Sequence, residues 1–165
     1  MRTSTLCGLL VAALVVLAAR TGPTAAPTVP CHDIIGQVNS GRDDGYRIVL
    51  GVVSVPWPRL QAPVHVSSSR PWIYWTKAGI NVRAGRVPVR ILVPRRWRRR
   101  EAITWGNETG IVSALRIAPC PSPPKVWNAY SGGFYLRSRS ACVPLTFCVG
   151  ERSRTVRFGI GIRCR

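Results

Sequence analysis

Arg95, Arg96, Trp97, Arg98, Arg99 and Arg100 stand consecutively, five guanidinium groups around one indole. A guanidinium forks onto phosphate or carboxylate and stacks on an aromatic face, so this run has the chemistry of a grip on an anionic polymer or a membrane headgroup layer. The plainer reading is a solvated connection between a strand ending at Val93 and one starting at Ala102. A second group, Trp57, Trp72, Tyr74 and Trp75, is aromatic. Along a strand, Trp72 and Tyr74 share one face while Ile73 and Trp75 share the other. One aromatic set then serves the core, and Trp72 with Tyr74 form the candidate platform for sugar rings.

Acid–base and metal chemistry have little to draw on. The histidines are His32 and His65, and the acids are Asp33, Asp43, Asp44, Glu101, Glu108 and Glu151. His32 and Asp33 are adjacent, so in a strand they point to opposite faces unless the backbone turns there. Asp43, Asp44 and Gly45 read as a turn before a strand, with weak calcium binding as the other use. No nucleophile elbow, paired-histidine zinc motif or glycine-rich phosphate loop occurs. The expectation is therefore no catalytic residue, no metal ligand, no cofactor and no enzymatic activity. An enzyme of unfamiliar type would have to build on His32, Asp33 or Cys148. No helix-turn-helix, ribonucleoprotein motif or zinc spacing accompanies the arginine run, so nucleic acid is not an expected partner. Asn107, Glu108 and Thr109 match a glycosylation sequon, but they read as a strand running into a turn.

The elements that must position these residues are short and β-like. Apolar, β-branched and aromatic stretches recur at 46–55, 72–76, 80–83, 87–93, 102–105, 111–117, 127–130, 134–136, 141–149 and 155–164, with Gly, Pro and Ser between them. With 14 prolines, 15 glycines and no stretch of helical period, this pattern predicts an all-β fold of about eight strands. The fold class expected is an antiparallel, immunoglobulin-like β-sandwich. In 141–149, Val143, Leu145, Phe147 and Val149 share one apolar face and leave Cys148 on the other. In 155–164, Val156, Phe158, Ile160 and Ile162 share a face with Cys164.

Cysteine usage follows from that alternation. Cys31, Cys120, Cys142, Cys148 and Cys164 follow the leader, an odd number, so any of the five could be left over, with three connectivities for each choice. If 141–149 and 155–164 pair through a turn at 150–153, registers that keep both apolar faces together bring Cys164 toward the Cys142 end. This favours Cys142 with Cys164, Cys148 as the free thiol, and by elimination Cys31 with Cys120. The second bridge would close a loop of about 90 residues, worth about 4–5 kcal/mol in the chain-entropy treatment.

The address comes from the N-terminus. A basic start, an apolar run at 6–19 and a small-residue and proline stretch read as a signal peptide over 1–26, followed by one domain over 27–165. Ala18 and Ala19 rival Ala26 as its end, and the apolar run is shorter than the roughly 20 residues that span a bilayer. Cys7, inside the run, has no assigned role. Without Arg2 and Arg20, the 24 basic residues become 22 against six acids. Such an excess attracts polyanions without choosing among them. All basic residues but Lys77 and Lys125 are arginine, so a GC-rich coding bias is an alternative source of part of the charge.

Four C-terminal motifs resemble a group of small secreted actinobacterial proteins of unknown function: Trp105, Gly106 and Asn107; Gly132, Gly133, Phe134 and Tyr135; Cys142, Val143, Pro144 and Leu145; and Phe158, Gly159, Ile160 and Gly161 with Cys164. The resemblance covers residues 80–165 and implies a secreted β fold without implying an activity; Cys148 departs from its pattern. The functional expectation is a secreted or envelope protein that binds anionic cell-wall polymer or a membrane surface through Arg95–Arg100. A carbohydrate-binding module on Trp72 and Tyr74 is the alternative. The oligomeric state is left open.

Overall fold

The computed structural model describes residues 25–39, 41, 45–83, 85 and 87–164. The expected leader lies outside these apart from Ala25 and Ala26, and Cys7, Asp43 and Asp44 lie outside them too. The chain begins with β1 (Thr28–Val29), a 3-10 turn at Cys31–Asp33, β2 (Gly36–Val38), β3 (Tyr46–Val49), β4 (Val53–Pro56), β5 (Arg59–Leu60) and β6 (Val64–His65). It continues through β7 (Tyr74–Lys77), β8 (Ile80–Arg83), β9 (Val89–Leu92), a 3-10 turn at Arg95–Trp97, β10 (Glu101–Trp105) and β11 (Ala114–Ile117). It ends with β12 (Trp127–Tyr130), β13 (Gly132–Leu136), β14 (Ala141–Val149) and β15 (Arg152–Ile160).

The all-β expectation holds, but the strands are more numerous and shorter than the eight expected. They form sheets of six (β1-β11-β9-β14-β15-β5), four (β10-β13-β7-β6) and five strands (β2-β12-β8-β4-β3). Neighbours are antiparallel except β1 with β11 and β15 with β5. Several strands have two residues, too few for any alternation to register in the sequence. The stretch 46–55 is not one strand. Leu50 and Gly51 both take positive φ (54° and 77°) and Val52 N–H donates to the Val49 carbonyl at 3.2 Å, so β3 and β4 form a hairpin. A leucine at such a position hides the turn from composition.

All three sheets turn their apolar faces into one core. Ile91, Leu115, Val143 and Phe147 come from the six-stranded sheet, Val53, Ile80 and Tyr130 from the five-stranded sheet, and Ile103, Trp105 and Phe134 from the four-stranded sheet. The rings interlock: Trp105 meets Phe134 edge-on at 5.7 Å, and Phe134 meets Phe158 at 5.2 Å. Such close approach needs glycine at Gly132, where a Cβ would run into the Thr104 carbonyl and the Trp105 indole. Trp105 Nε1–H donates to the Ala78 carbonyl at 2.8 Å, so the buried indole is satisfied.

The hairpin β14–β15 runs from Val149 opposite Arg152 to Ala141 opposite Ile160, around a tight turn at Gly150 and Glu151. Past Ile160 the chain doubles back over Gly159, where a Cβ would meet the Ile162 carbonyl, and Cys164 bridges to Cys142. Cys31 bridges to Cys120, joining the first 3-10 turn to the stretch before β12. Cys148 is unbridged and buried.

Candidate functional site

The arginine run gets its shape from the prolines and the tryptophan within it. β9 pairs with β14 only from Val89 opposite Val149 to Leu92 opposite Thr146. Pro94 then takes the chain out of the sheet and into the 3-10 turn Arg95–Trp97. The turn is closed by Trp97 N–H to the Pro94 carbonyl (2.7 Å) and Arg100 N–H to the Trp97 carbonyl (2.7 Å). Trp97 is drawn half-way into the core while Arg95, Arg96, Arg98, Arg99 and Arg100 stay exposed. Residues 141–145 of β14 therefore have a strand neighbour on one side only. Pro144, which lacks a ladder donor, is accommodated in this unpaired stretch.

A cleft of about 430 Å³ opens where the turn meets this stretch of β14. Arg96, Trp97 and Arg100 form one wall, and Cys142, Pro144 and Arg157 of the hairpin form the other. A second cleft of about 340 Å³ shares Trp97, Arg100 and Cys142 and extends to Arg137, Ser138 and Ser140. The Arg100 guanidinium lies 5.7 Å from the Trp97 ring centroid, and that of Arg137 lies 5.6 Å from the Trp72 centroid. Arg137 N–H donates to the Arg100 carbonyl at 3.3 Å. Two guanidinium–indole pairs, Arg100 on Trp97 and Arg137 on Trp72, are thus joined through the backbone of Arg100 and Arg137. No carboxylate is among the described residues that line either cleft. Four guanidinium groups around a partly apolar hollow can hold phosphate, sulfate or carboxylate by forked, charge-assisted hydrogen bonds.

The expected site residues separate into three fates. Arg96, Trp97 and Arg100 line the clefts, whereas Arg95 and Arg99 do not, and Arg98 spends its Nε–H on the Val93 carbonyl at 3.3 Å. Trp72 and Tyr74 do not share a strand face, because β7 begins only at Tyr74 and Trp72 lies in the turn before it. Tyr74 packs against the core and meets His65 edge-on at 5.9 Å, while Trp72 joins the arginine surface through Arg137. Arg137 and Arg157 were invisible to the run-based reading. The one local signal was the alternation of 155–162, which makes Arg157 an outward residue of its strand.

Asp33, Glu101, Asn107 and Thr109 lie outside both clefts. The 3-10 turn does bring His32 and Asp33 together, with Nε2 4.0 Å from Oδ1, but Asp33 is buried and committed elsewhere. It accepts from Asn107 N–H and Asn107 Nδ2–H, both at 3.0 Å. Its negative charge, second to burial, helps push the buried Tyr130 phenol up to about 12. Thr109 Oγ1–H donates to the Trp105 carbonyl at 2.6 Å and is buried, so the sequon residues Asn107 and Thr109 pin the turn after β10. Glu101 begins β10 on the same face as Ile103 and Trp105. It is fully buried, neither carboxyl oxygen has a hydrogen-bond partner, and desolvation pushes its pKa up to about 9. Among the described residues no group of His, Cys, Asp and Glu could hold a metal ion.

Fold and site define a class: a disulfide-stapled all-β protein with an arginine-lined cleft. No protein-family model matches the chain, and no curated protein matches it.

Proposed function

We propose that this is a basic binding protein, secreted or held in the cell envelope, that retains an anionic cell-wall polymer and carries out no reaction on it. One observation carries the reading: Arg96 and Arg100, Arg137, and Arg157 come from three separate stretches of chain and meet around Trp97 with no acid among the described lining residues. Charges brought together from distant strands are harder to ascribe to a solvated run, or to an arginine-rich composition, than a consecutive stretch is. Export is part of the proposal. It is supported by the two disulfides, which persist in oxidising compartments, and no helix among the described residues is long and apolar enough to cross a membrane. An actinobacterial origin and an immunoglobulin-like arrangement of the sandwich belong to the same proposal. The latter is supported by largely antiparallel sheets around a shared core of alternating residues.

The test is retention of the oxidised protein on purified actinobacterial cell wall across a salt gradient. The wild type is expected to bind at low salt and to elute as salt rises. Arg96→Ser/Arg100→Ser/Arg157→Ser is expected to lose retention, and Arg95→Ser/Arg99→Ser, which alters arginines outside the clefts, to behave as the wild type. Equal retention of all three would overturn the reading. Binding to anionic lipid vesicles without binding to wall would replace the polymer by a membrane surface. Salt-insensitive binding to an uncharged glycan would favour the carbohydrate module instead.

A further inference from the structure

The arginine cleft opens at one end of a larger surface, the outward face of the six-stranded sheet. The strand register fixes what stands on it. One row across the sheet reads Arg116, Arg90, Cys148, Ser153; the next reads Ala114, Leu92, Thr146, Thr155; the next is Pro144 opposite Arg157, at the cleft wall. One feature of this face is unexplained by folding. Arg90 and Arg116 are exposed and directly opposite each other, a like-charge pair of the kind that destabilises a sheet. Their other cross-strand partners are Cys148 and Thr28, and neither arginine is ion-paired among the described residues. Beside Arg90 the surface hollows again into a cleft of about 180 Å³, bounded by Pro88, Cys148 and Gly150. Between the two basic ends lies a neutral, hydroxyl-bearing rung, where Thr146 Oγ1 and Thr155 Oγ1 are 2.8 Å apart and exposed.

We infer that this face is a track for a linear acidic glycan, seated at one end in the Arg96–Trp97–Arg100–Arg157 cleft and at the other on the Arg90–Arg116 pair. The inference rests on the polymer-binding reading above and names its ligand class. Arg90 and Arg157 are two strands and four residues apart, roughly 16 Å between Cα atoms at ordinary strand spacings. One small anion cannot reach both ends, whereas an extended chain of several sugar units can. The spacing of charge selects the chemistry. A densely charged chain such as polyphosphate would place anions over the threonine rung, which has no cation, while a glycan with one anionic group every few atoms of backbone places hydroxyls there. The half-buried indole at Trp97 adds an apolar contact for a sugar ring. An unpaired arginine row is then satisfied by the ligand, which links the two ends and raises affinity through effective concentration.

The experiment uses the full oxidised chain and hyaluronate, which carries one carboxylate per disaccharide, as a disaccharide, too short to reach both ends, and as a long chain. The wild type is expected to bind the long chain at least about tenfold more tightly than the disaccharide. Arg90→Thr/Arg116→Thr should weaken the long chain about five- to tenfold, leave the disaccharide unchanged and make long-chain binding less sensitive to salt. Arg96→Ser/Arg100→Ser/Arg157→Ser should weaken both. If the threonine variant binds the long chain as the wild type does while the cleft variant loses both, the track is overturned and the cleft reading survives. If neither variant changes binding, both readings fall. Tighter binding of inorganic polyphosphate than of long hyaluronate at equal total charge would overturn the glycan as the ligand class.

Discussion

Glu101 is a carboxyl group buried without a partner in a chain that has few acids to spare. Burial in a nonpolar site disfavours the ionised form, so the folded protein keeps the proton up to about pH 9, while the unfolded chain releases it near 4.5. The folded state therefore binds more protons across that window. The contribution of Glu101 to stability is therefore full below about pH 4.5, declines as pH rises toward 9, and then levels off. Urea unfolding at a series of pH values should show this slope, and Glu101→Gln should flatten it; an unchanged slope in the variant would contradict a buried, protonated Glu101. Asp33 is the opposite kind of buried acid, with both oxygens occupied by Asn107. Asp33→Ala removes both hydrogen bonds to a charged acceptor and should cost about 1–3 kcal/mol in urea unfolding. The adjacency of His32 and Asp33 in the sequence pointed at acid–base chemistry, but the partner that determines the role of Asp33 lies 74 residues away.

Among the elements, the hairpin β14–β15 was the most legible. Val143 lies opposite Phe158 and Leu145 opposite Val156, buried together with Phe147 and Ile160 on the same face, and the chain end returns Cys164 to Cys142. The stretches 46–55 and 72–76 have the composition of longer, straighter strands than they form. Positive φ at Leu50 splits the first, and the second starts only at Tyr74, which removes the shared face of Trp72 and Tyr74. At this scale the cross-strand pair Arg90 and Arg116 carries its own prediction, independent of any ligand. Arg90→Thr/Arg116→Thr removes like-charge repulsion and adds β-branched side chains. The midpoint of urea unfolding at low salt should rise, equivalent to about 0.2–1 kcal/mol, and the gain should shrink as salt screens the charges. A lower midpoint would mean that the two arginines serve the fold.

At the scale of the whole molecule, the Cys31–Cys120 bridge spans 89 residues and fastens the N-terminal strands to the stretch before β12. Cys31→Ser/Cys120→Ser should lower stability by about 4–5 kcal/mol. Hyaluronate binding measured well below the unfolding transition should be retained, since neither cysteine lines the arginine clefts. The sequence by itself determined the β class, the inward faces of its longer strands and the outward position of Cys148, because side-chain alternation is a local property of extended backbone. Only the tertiary structure decided that the fifteen strands among the described residues divide into three sheets, that Glu101 is shut inside, and that Arg137 and Arg157 join Arg96 and Arg100 around Trp97. Those outcomes depend on which distant strands become neighbours. Pairing is set by the collective burial of all the apolar faces, so no single stretch of sequence contains it.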